Sequence, residues 1–159
     1  MKEVRYIDLT CVQNSLIESA RLAMETAYNP YSNFFVGAAL LTRDGKDVII
    51  GSNVENGAYG STICAERGAI LAANPLEKRM FSKLAIIARG RDFDTTEVTG
   101  PCGACRQMLY ESSQISEIPI EIIMSTTKKD KIIIATIEEL LPLGFGPKQL
   151  GIDITRFQK

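Results

Sequence analysis

The sequence predicts an α/β fold, a three-layer αβα sandwich around a five-stranded mixed sheet, and three of its features carry that expectation. Apolar residues near the N-terminus recur at helical spacing. An Asp-Gly pair stands between two β-prone runs. A nearly continuous apolar run in mid-chain has the composition of a strand buried on both faces. Strands that alternate with helices pack as layers, because each helix has one apolar stripe to cover and a sheet has two faces to offer.

The elements follow in order. Over residues 10–28, Val12, Leu16, Ala20, Ala23 or Met24, and Ala27 recur every three or four positions, which predicts a half-buried helix. Asp8 or Thr10 caps its start, and Pro30 ends it because proline disfavours the helical conformation in the residue before it. Residues 36–41 and 48–50 flank Arg43, Asp44 and Gly45 and predict an antiparallel hairpin. After a loop over residues 53–62, a second helix opens near Cys64 and runs through Ile70 and Leu71 to the breaker pair Asn74 and Pro75. The apolar run 84–88 is a buried strand that empties into a polar loop, 90–100. A third helix is expected to start at Pro101, since the missing amide proton costs nothing at the first helical position. Strands at 119–124 and 132–135 complete the sheet, and Pro142 ends a short helix at 137–141. The whole chain, 1–159, reads as one domain, with the weakly periodic residues 144–159 as a C-terminal docking tail.

Composition narrows the function. The chain has 159 residues, 45% hydrophobic and 23% charged, the balance of a globular protein. With 18 Lys plus Arg against 19 Asp plus Glu and no basic stripe, it is not expected to bind nucleic acid. No apolar run has the length of a signal core or a membrane span, so the expected location is cytoplasmic, without membrane association. Four cysteines in such a chain are read as metal ligands or catalytic groups before disulfides.

The chemistry concentrates in Cys64-Ala65-Glu66 and Pro101-Cys102-Gly103-Ala104-Cys105, each at the start of a predicted helix. Cys102 and Cys105 are three apart, so both thiols lie on one face of a first turn and can grip one ion, with Cys64 as a third ligand. Helix N-termini favour the thiolate and so favour metal. Three ligands leave one tetrahedral position open, the arrangement of a catalytic zinc, with one Zn²⁺ per chain. Three thiolates bring so much negative charge that nearby cations must offset it, a role that falls to Arg67 and Arg106. Glu66 is the proton carrier: the chain contains no histidine, and a carboxylate beside the open position is the main alternative.

Plainer readings exist. The Cys102-x-x-Cys105 pair alone fits a thioredoxin-like redox motif, and Cys11 as a fourth thiolate would close a purely structural zinc site. The Cys-Ala-Glu segment argues against the first, and the polar surroundings of Cys11 against the second. Without further context Phe34 and Phe145 read as packing aromatics, and Asn53 and Glu55 as turn residues.

The two cysteine segments match the zinc deaminase signature, a Cys-x-Glu followed by Pro-Cys-x-x-Cys, and the chain resembles the small homotetrameric cytidine deaminases of the cytidine/deoxycytidylate deaminase family. The blocks that carry the resemblance are Asn29-Pro30-Tyr31-Ser32-Asn33-Phe34 with Val36-Gly37-Ala38-Ala39-Leu40, then Gly51-Ser52-Asn53-Val54-Glu55-Asn56 and Cys64-Ala65-Glu66-Arg67. They continue with Pro101-Cys102-Gly103-Ala104-Cys105-Arg106-Gln107 and end with Glu139-Leu140-Leu141-Pro142 before Phe145-Gly146-Pro147. The resemblance implies zinc-dependent deamination of cytidine and 2′-deoxycytidine in pyrimidine salvage. A blasticidin S type deaminase and a noncatalytic zinc-stabilised interaction module are the alternatives. It further implies that Asn53 and Glu55 hold the ribose 3′-hydroxyl, that Phe34 packs near the base, and that the Ala65 amide meets the pyrimidine carbonyl. Tyr59 and Phe145 are implied to reach across subunit boundaries of a homotetramer with shared sites. Gly57, Gly68 and Gly100 depart from the family's usual Ala, Thr and Ser, and the 90–100 loop is slightly long.

Overall fold

The computed structural model describes residues 1–158; Lys159, the last residue of the expected docking tail, lies outside the described residues. One mixed sheet has the strand order β1-β6-β5-β4-β2-β3, built from β1 (Lys2–Val4), β2 (Phe34–Thr42), β3 (Val48–Ser52), β4 (Phe81–Gly90), β5 (Glu121–Thr126) and β6 (Ile132–Thr136). The sheet therefore has six strands, which corrects the five expected. The extra strand, β1, is only three residues long and pairs antiparallel with β6, Glu3 opposite Ile133. Its local sequence is too short and charged to show a period of two, and long-range pairing alone makes it a strand. Among the strands of the described residues, β4 and β5 are the one neighbouring pair that runs parallel.

Helix α1 (Cys11–Met24) covers one sheet face, where Leu16, Ile17, Ala20 and Met24 pack on Ala39, Leu41, Ala85, Ile87 and Ile123. Thr10 caps it, its side chain accepting from the Gln13 amide while Gln13 reaches back, a reciprocal capping box. Helices α2 (Ala65–Ala73) and α3 (Gly103–Ser116) cover the other face, with Ala65, Ala69, Ala73 and Leu109 against Ala38, Leu40, Leu84, Ile86 and Ile122. The short α4 (Ile137–Leu140) follows β6 directly. The result is a three-layer arrangement with a core on each side of the sheet. Pro101 is not at the first helical position as expected: Cys102 is the N-cap of α3, so the proline stands one residue outside the helix.

Two glycines let the helices come close enough to aim the site. A methyl at Gly37 would lie 2.0 Å from the Ala20 carbonyl oxygen in α1. One at Gly51 would lie 2.3 Å from the Ala69 amide nitrogen and 2.4 Å from the Ala65 carbonyl oxygen in α2. Gly37 and Gly51 face opposite sides of the β2–β3 hairpin, so it is clamped between two helix backbones. Gly68 answers from the α2 side, where an added Cβ would be 3.2 Å from the Ser52 carbonyl oxygen. The helix-propensity cost of glycine there, about 1 kcal/mol against Ala, goes with this close approach.

Among the described residues, no helix is long and apolar enough to cross a membrane. The end of the chain folds back on α3 through Gln158 Nε2, which donates to the Ile115 carbonyl oxygen at 2.8 Å.

Candidate active site

The N-termini of α2 and α3 meet at the same end of the sheet, and the three cysteine sulfurs converge there. Cys64 Sγ is 3.7 Å from Cys102 Sγ, Cys102 Sγ is 3.5 Å from Cys105 Sγ, and all three lie within 4.8 Å of one another. A tetrahedral ion with zinc–sulfur bonds of about 2.3 Å sets its sulfurs about 3.8 Å apart, so the spacing and the soft donor set both fit zinc. Cys11, exposed at the far end of α1, is not part of the cluster.

Electrostatics favour ionised sulfur. The first intrahelical bonds are Gly68 N–H to the Cys64 carbonyl and Arg106 N–H to the Cys102 carbonyl, and neither N-cap has a side-chain cap. The amides of the first turns therefore have no partner within the helix and present partial positive charge to the cluster. The Cys64 thiol is pulled down to about 5, first by hydrogen bonding from Cys105, then from Cys102 and Arg67, against the opposing effect of burial. The same contact with Cys64, together with burial, pushes the Cys105 thiol up, because Cys105 keeps the proton that it donates.

Glu66 is only 3% exposed, in the first turn of α2. Burial pushes its carboxyl up to about 7, with the charge on Cys64 adding to this, while its own backbone N–H, the Cys105 thiol and Arg67 act in the other direction. The pairing of a dry carboxylate with a sulfur cluster is what a site needs if it is to move protons beside a metal.

The two arginines divide their work. Arg67 donates from Nη2 to the Thr62 carbonyl, and its guanidinium helps to hold the Cys64 thiol low. Arg106 donates from Nε to the Pro101 carbonyl at 2.8 Å and from Nη1 to the Leu140 carbonyl at 2.9 Å. These are bracing contacts on the turn that carries Cys102, in place of the thiolate contact expected from sequence. The guanidinium follows the last cysteine on the helix and is turned back under the Pro101 turn.

Asn53, 6% exposed, lies beneath the start of β2: its Nδ2 donates to the Phe34 carbonyl and its Oδ1 accepts from the Val36 amide, both at 2.9 Å. Glu55, 3% exposed, accepts at Oε2 from the amides of Tyr31, at 3.0 Å, and Ser32, at 3.1 Å, and at Oε1 from Ser32 Oγ. Burial works to raise its pKa, but these hydrogen bonds outweigh it and hold the carboxyl below the usual glutamate value. Ser32 Oγ also accepts from the Phe34 amide at 3.1 Å, so Glu55, Ser32, Phe34 and Asn53 form one braced unit. Ser32 lies inside the Asn29–Phe34 block that carries the resemblance, yet nothing in the sequence indicates that it holds Glu55.

Ala65 is fully buried at the start of α2. The Tyr59 ring, exposed, tilts against Tyr31 of the same chain with centroids 5.9 Å apart. Phe145 is 58% exposed on a loop pinned by Gln107, whose Nε2 donates to the Phe145 carbonyl at 2.8 Å.

Comparison with known proteins agrees with this geometry. The profile of the cytidine and deoxycytidylate deaminase zinc-binding region matches residues 12–122. The chain is 42% identical over 136 residues to a cytidine deaminase of Sporosarcina psychrophila, covering 86% of this chain and 93% of that protein. A cytidine deaminase of Halalkalibacterium halodurans is also 42% identical over 136 residues, with 86% of this chain and 96% of the relative covered. Among solved structures, the cytidine deaminase from Burkholderia pseudomallei superposes with a TM-score of 0.73 at 39% identity, over 86% of this chain and all (100%) of the other. With its sulfur cluster, its buried Glu66 and these matches, the chain belongs to the cytidine and deoxycytidylate deaminase family.

Proposed function

We propose that this chain catalyses the zinc-dependent hydrolytic deamination of cytidine and 2′-deoxycytidine to uridine and 2′-deoxyuridine, releasing ammonia. The observation that carries the proposal is the convergence of Cys64, Cys102 and Cys105 within 4.8 Å beside the buried Glu66. Cys64, Cys102 and Cys105 hold the zinc. Bound there, the ion supplies a Lewis-acidic position at which water becomes a competent nucleophile near neutral pH.

The protein's own groups do the rest. Glu66 accepts a proton from the attacking water and delivers it to N3 as the hydroxyl adds to C4. It then takes the remaining hydroxyl proton and passes it to the amine, so that the C4–N bond breaks, the C4 carbonyl forms and ammonia leaves. The Ala65 amide, without an intrahelical acceptor, donates to the pyrimidine O2. Arg67 offsets thiolate charge at Cys64, and Arg106 fixes the turn that presents Cys102.

Phe34 packs on the base, and Asn53 and Glu55 receive the ribose. Both keep capacity for this role. An ionised carboxylate has about four acceptor positions, and three donors already occupy Glu55. Asn53 retains one N–H and one lone pair after its two backbone bonds. The exposed Tyr59 and Phe145 complete neighbouring pockets in a homotetramer with shared sites, and residues 144–159 of the single domain serve as its docking tail. Free cysteines at all four positions suit a reducing, cytoplasmic setting.

The test is a parallel assay of zinc-replete protein on cytidine, 2′-deoxycytidine, adenosine and dCMP, read as loss of absorbance in the cytosine band. Turnover of the two cytosine nucleosides is expected, with dCMP much slower because the ionised Glu55 repels an added phosphate. Comparable use of dCMP overturns the nucleoside reading, and no turnover of any substrate overturns the catalytic one.

A further inference from the structure

The loop that follows β4 places an aromatic ring on the site-bearing face of the sheet. Phe34 and Gly90 are paired across β2 and β4. Val36, Ala38 and Leu40 on β2, and Leu84 and Ile86 on β4, pack toward α2 and α3, so by alternation Phe34 and Gly90 face that side too. The volume that a side chain at Gly90 would fill is taken by Phe93: a methyl there would lie 2.1 Å from Phe93 Cε1 and 2.4 Å from Cδ1 and Cζ. Phe93 thus stands on the same face as Phe34, one strand over.

The loop that presents this ring is tied down at several points. The Gly90 amide donates to the Phe93 carbonyl at 2.9 Å, the backbones of Arg89 and Asp94 form an isolated antiparallel β-bridge, and Thr95 Oγ1 donates to the Ala88 carbonyl at 3.2 Å. Thr127 Oγ1 donates to Asp94 and Lys131 Nζ to Glu97, each at 2.6 Å. Phe93 is nonetheless 62% exposed. An apolar ring held in place and open to water is available for contact with a bound molecule.

The deaminase reading fixes which part of the substrate comes to it. Ala65 and Glu66, at the start of α2, take the O2 and N3 edge of the pyrimidine, and α2 packs over β3 and β2. The opposite edge, the apolar C5–C6 edge, then faces away from α2 toward the end of β4. Asn53 and Glu55 flank Phe34 on its other side, at the end of β3. We propose that Phe93 is a specificity-determining residue of the substrate pocket, forming with Phe34 an aromatic wall against the C5–C6 edge of the pyrimidine. The proposal rests on the cytidine deaminase reading above.

Two variants test it. In Phe93→Ala the wall recedes, and the ratio of kcat/KM for 5-methylcytidine to that for cytidine is expected to rise at least about 5-fold, within what one methyl group commands in an apolar pocket. A mere loosening of the loop would lower both substrates together and leave the ratio unchanged. The chain contains no tryptophan, so Phe93→Trp supplies a single indole whose emission should shift as uridine saturates the site. A ratio within about twofold of wild type, or an emission that saturating uridine does not move, overturns the proposal. Wild-type protein that fails to deaminate cytidine overturns instead the reading on which it rests, and the proposal with it.

Discussion

Cys64 Sγ lies 3.7 Å from Cys102 Sγ although 38 residues separate them in the chain. Between them run α2 and the central strand β4, so the contact exists only when the layers are assembled. The zinc site is therefore a product of the fold, and about one zinc per chain is expected in protein purified without chelator. Metal analysis of Cys64→Ala, Cys102→Ala and Cys105→Ala should show loss of zinc, while Cys11→Ala keeps it. Retention in Cys102→Ala with loss in Cys11→Ala would refute the assignment.

Glu66→Gln keeps the shape of the buried side chain but cannot accept a proton. Its kcat is expected to fall at least about 10²-fold with zinc content and fold unchanged. Turnover equal to wild type, or an activity loss that only follows lost zinc, would make Glu66 structural.

Gly51→Ala tests how the hairpin aims the site. The added methyl meets backbone atoms of Ala69 and Ala65, at 2.3 and 2.4 Å, and neither can rotate away. Overpacking of this kind costs about 1–3 kcal/mol, and the shift of α2 carries Cys64 and Glu66 with it. Thermal unfolding and kcat should both drop; a variant with wild-type values for the two would remove Gly51 from the account.

Glu55 sets an acid limb of stability. Its folded pKa is lowered, so ionised Glu55 contributes stability in full above its unfolded value of about 4.3, and loses it as pH falls through the lower folded value. Glu55→Gln has no such titration, and its stability should decline less steeply than that of wild type as pH is lowered below about 4. Parallel acid limbs in denaturant melts would contradict this.

Activity should follow assembly, because exposed Tyr59 and Phe145 are proposed to finish a neighbour's pocket. Sedimentation run at assay concentrations should show specific activity falling as the assembly dissociates. A fully active monomer would remove the shared site.

Much of this was legible from local signals. The start of α1 at one of two capping candidates, Asp8 and Thr10, the Asp44-Gly45 hairpin and the apolar run of β4 declare themselves through capping, turn chemistry and composition, which act over a few residues. The metal set was legible too, since the spacing of Cys102 and Cys105 and the Cys64-x-Glu66 pattern are properties of the chain itself. β1 was not, because three charged-rich residues become a strand only when β6 offers an edge. The direction of the Arg106 side chain was equally hidden: adjacency to Cys105 suggested a sulfur partner, and the carbonyls of Pro101 and Leu140, the latter 34 residues away, claimed its donors. The same holds for Phe93, an ordinary loop aromatic in sequence that the pairing of Phe34 with Gly90 brings to the site face. Sequence by itself determined the residue types and their local spacing, and with them the metal and the carboxylate proposed to carry protons; tertiary structure decided which donors meet which acceptors, because hydrogen bonds and packing reach only a few ångströms and the fold alone sets what lies within that reach.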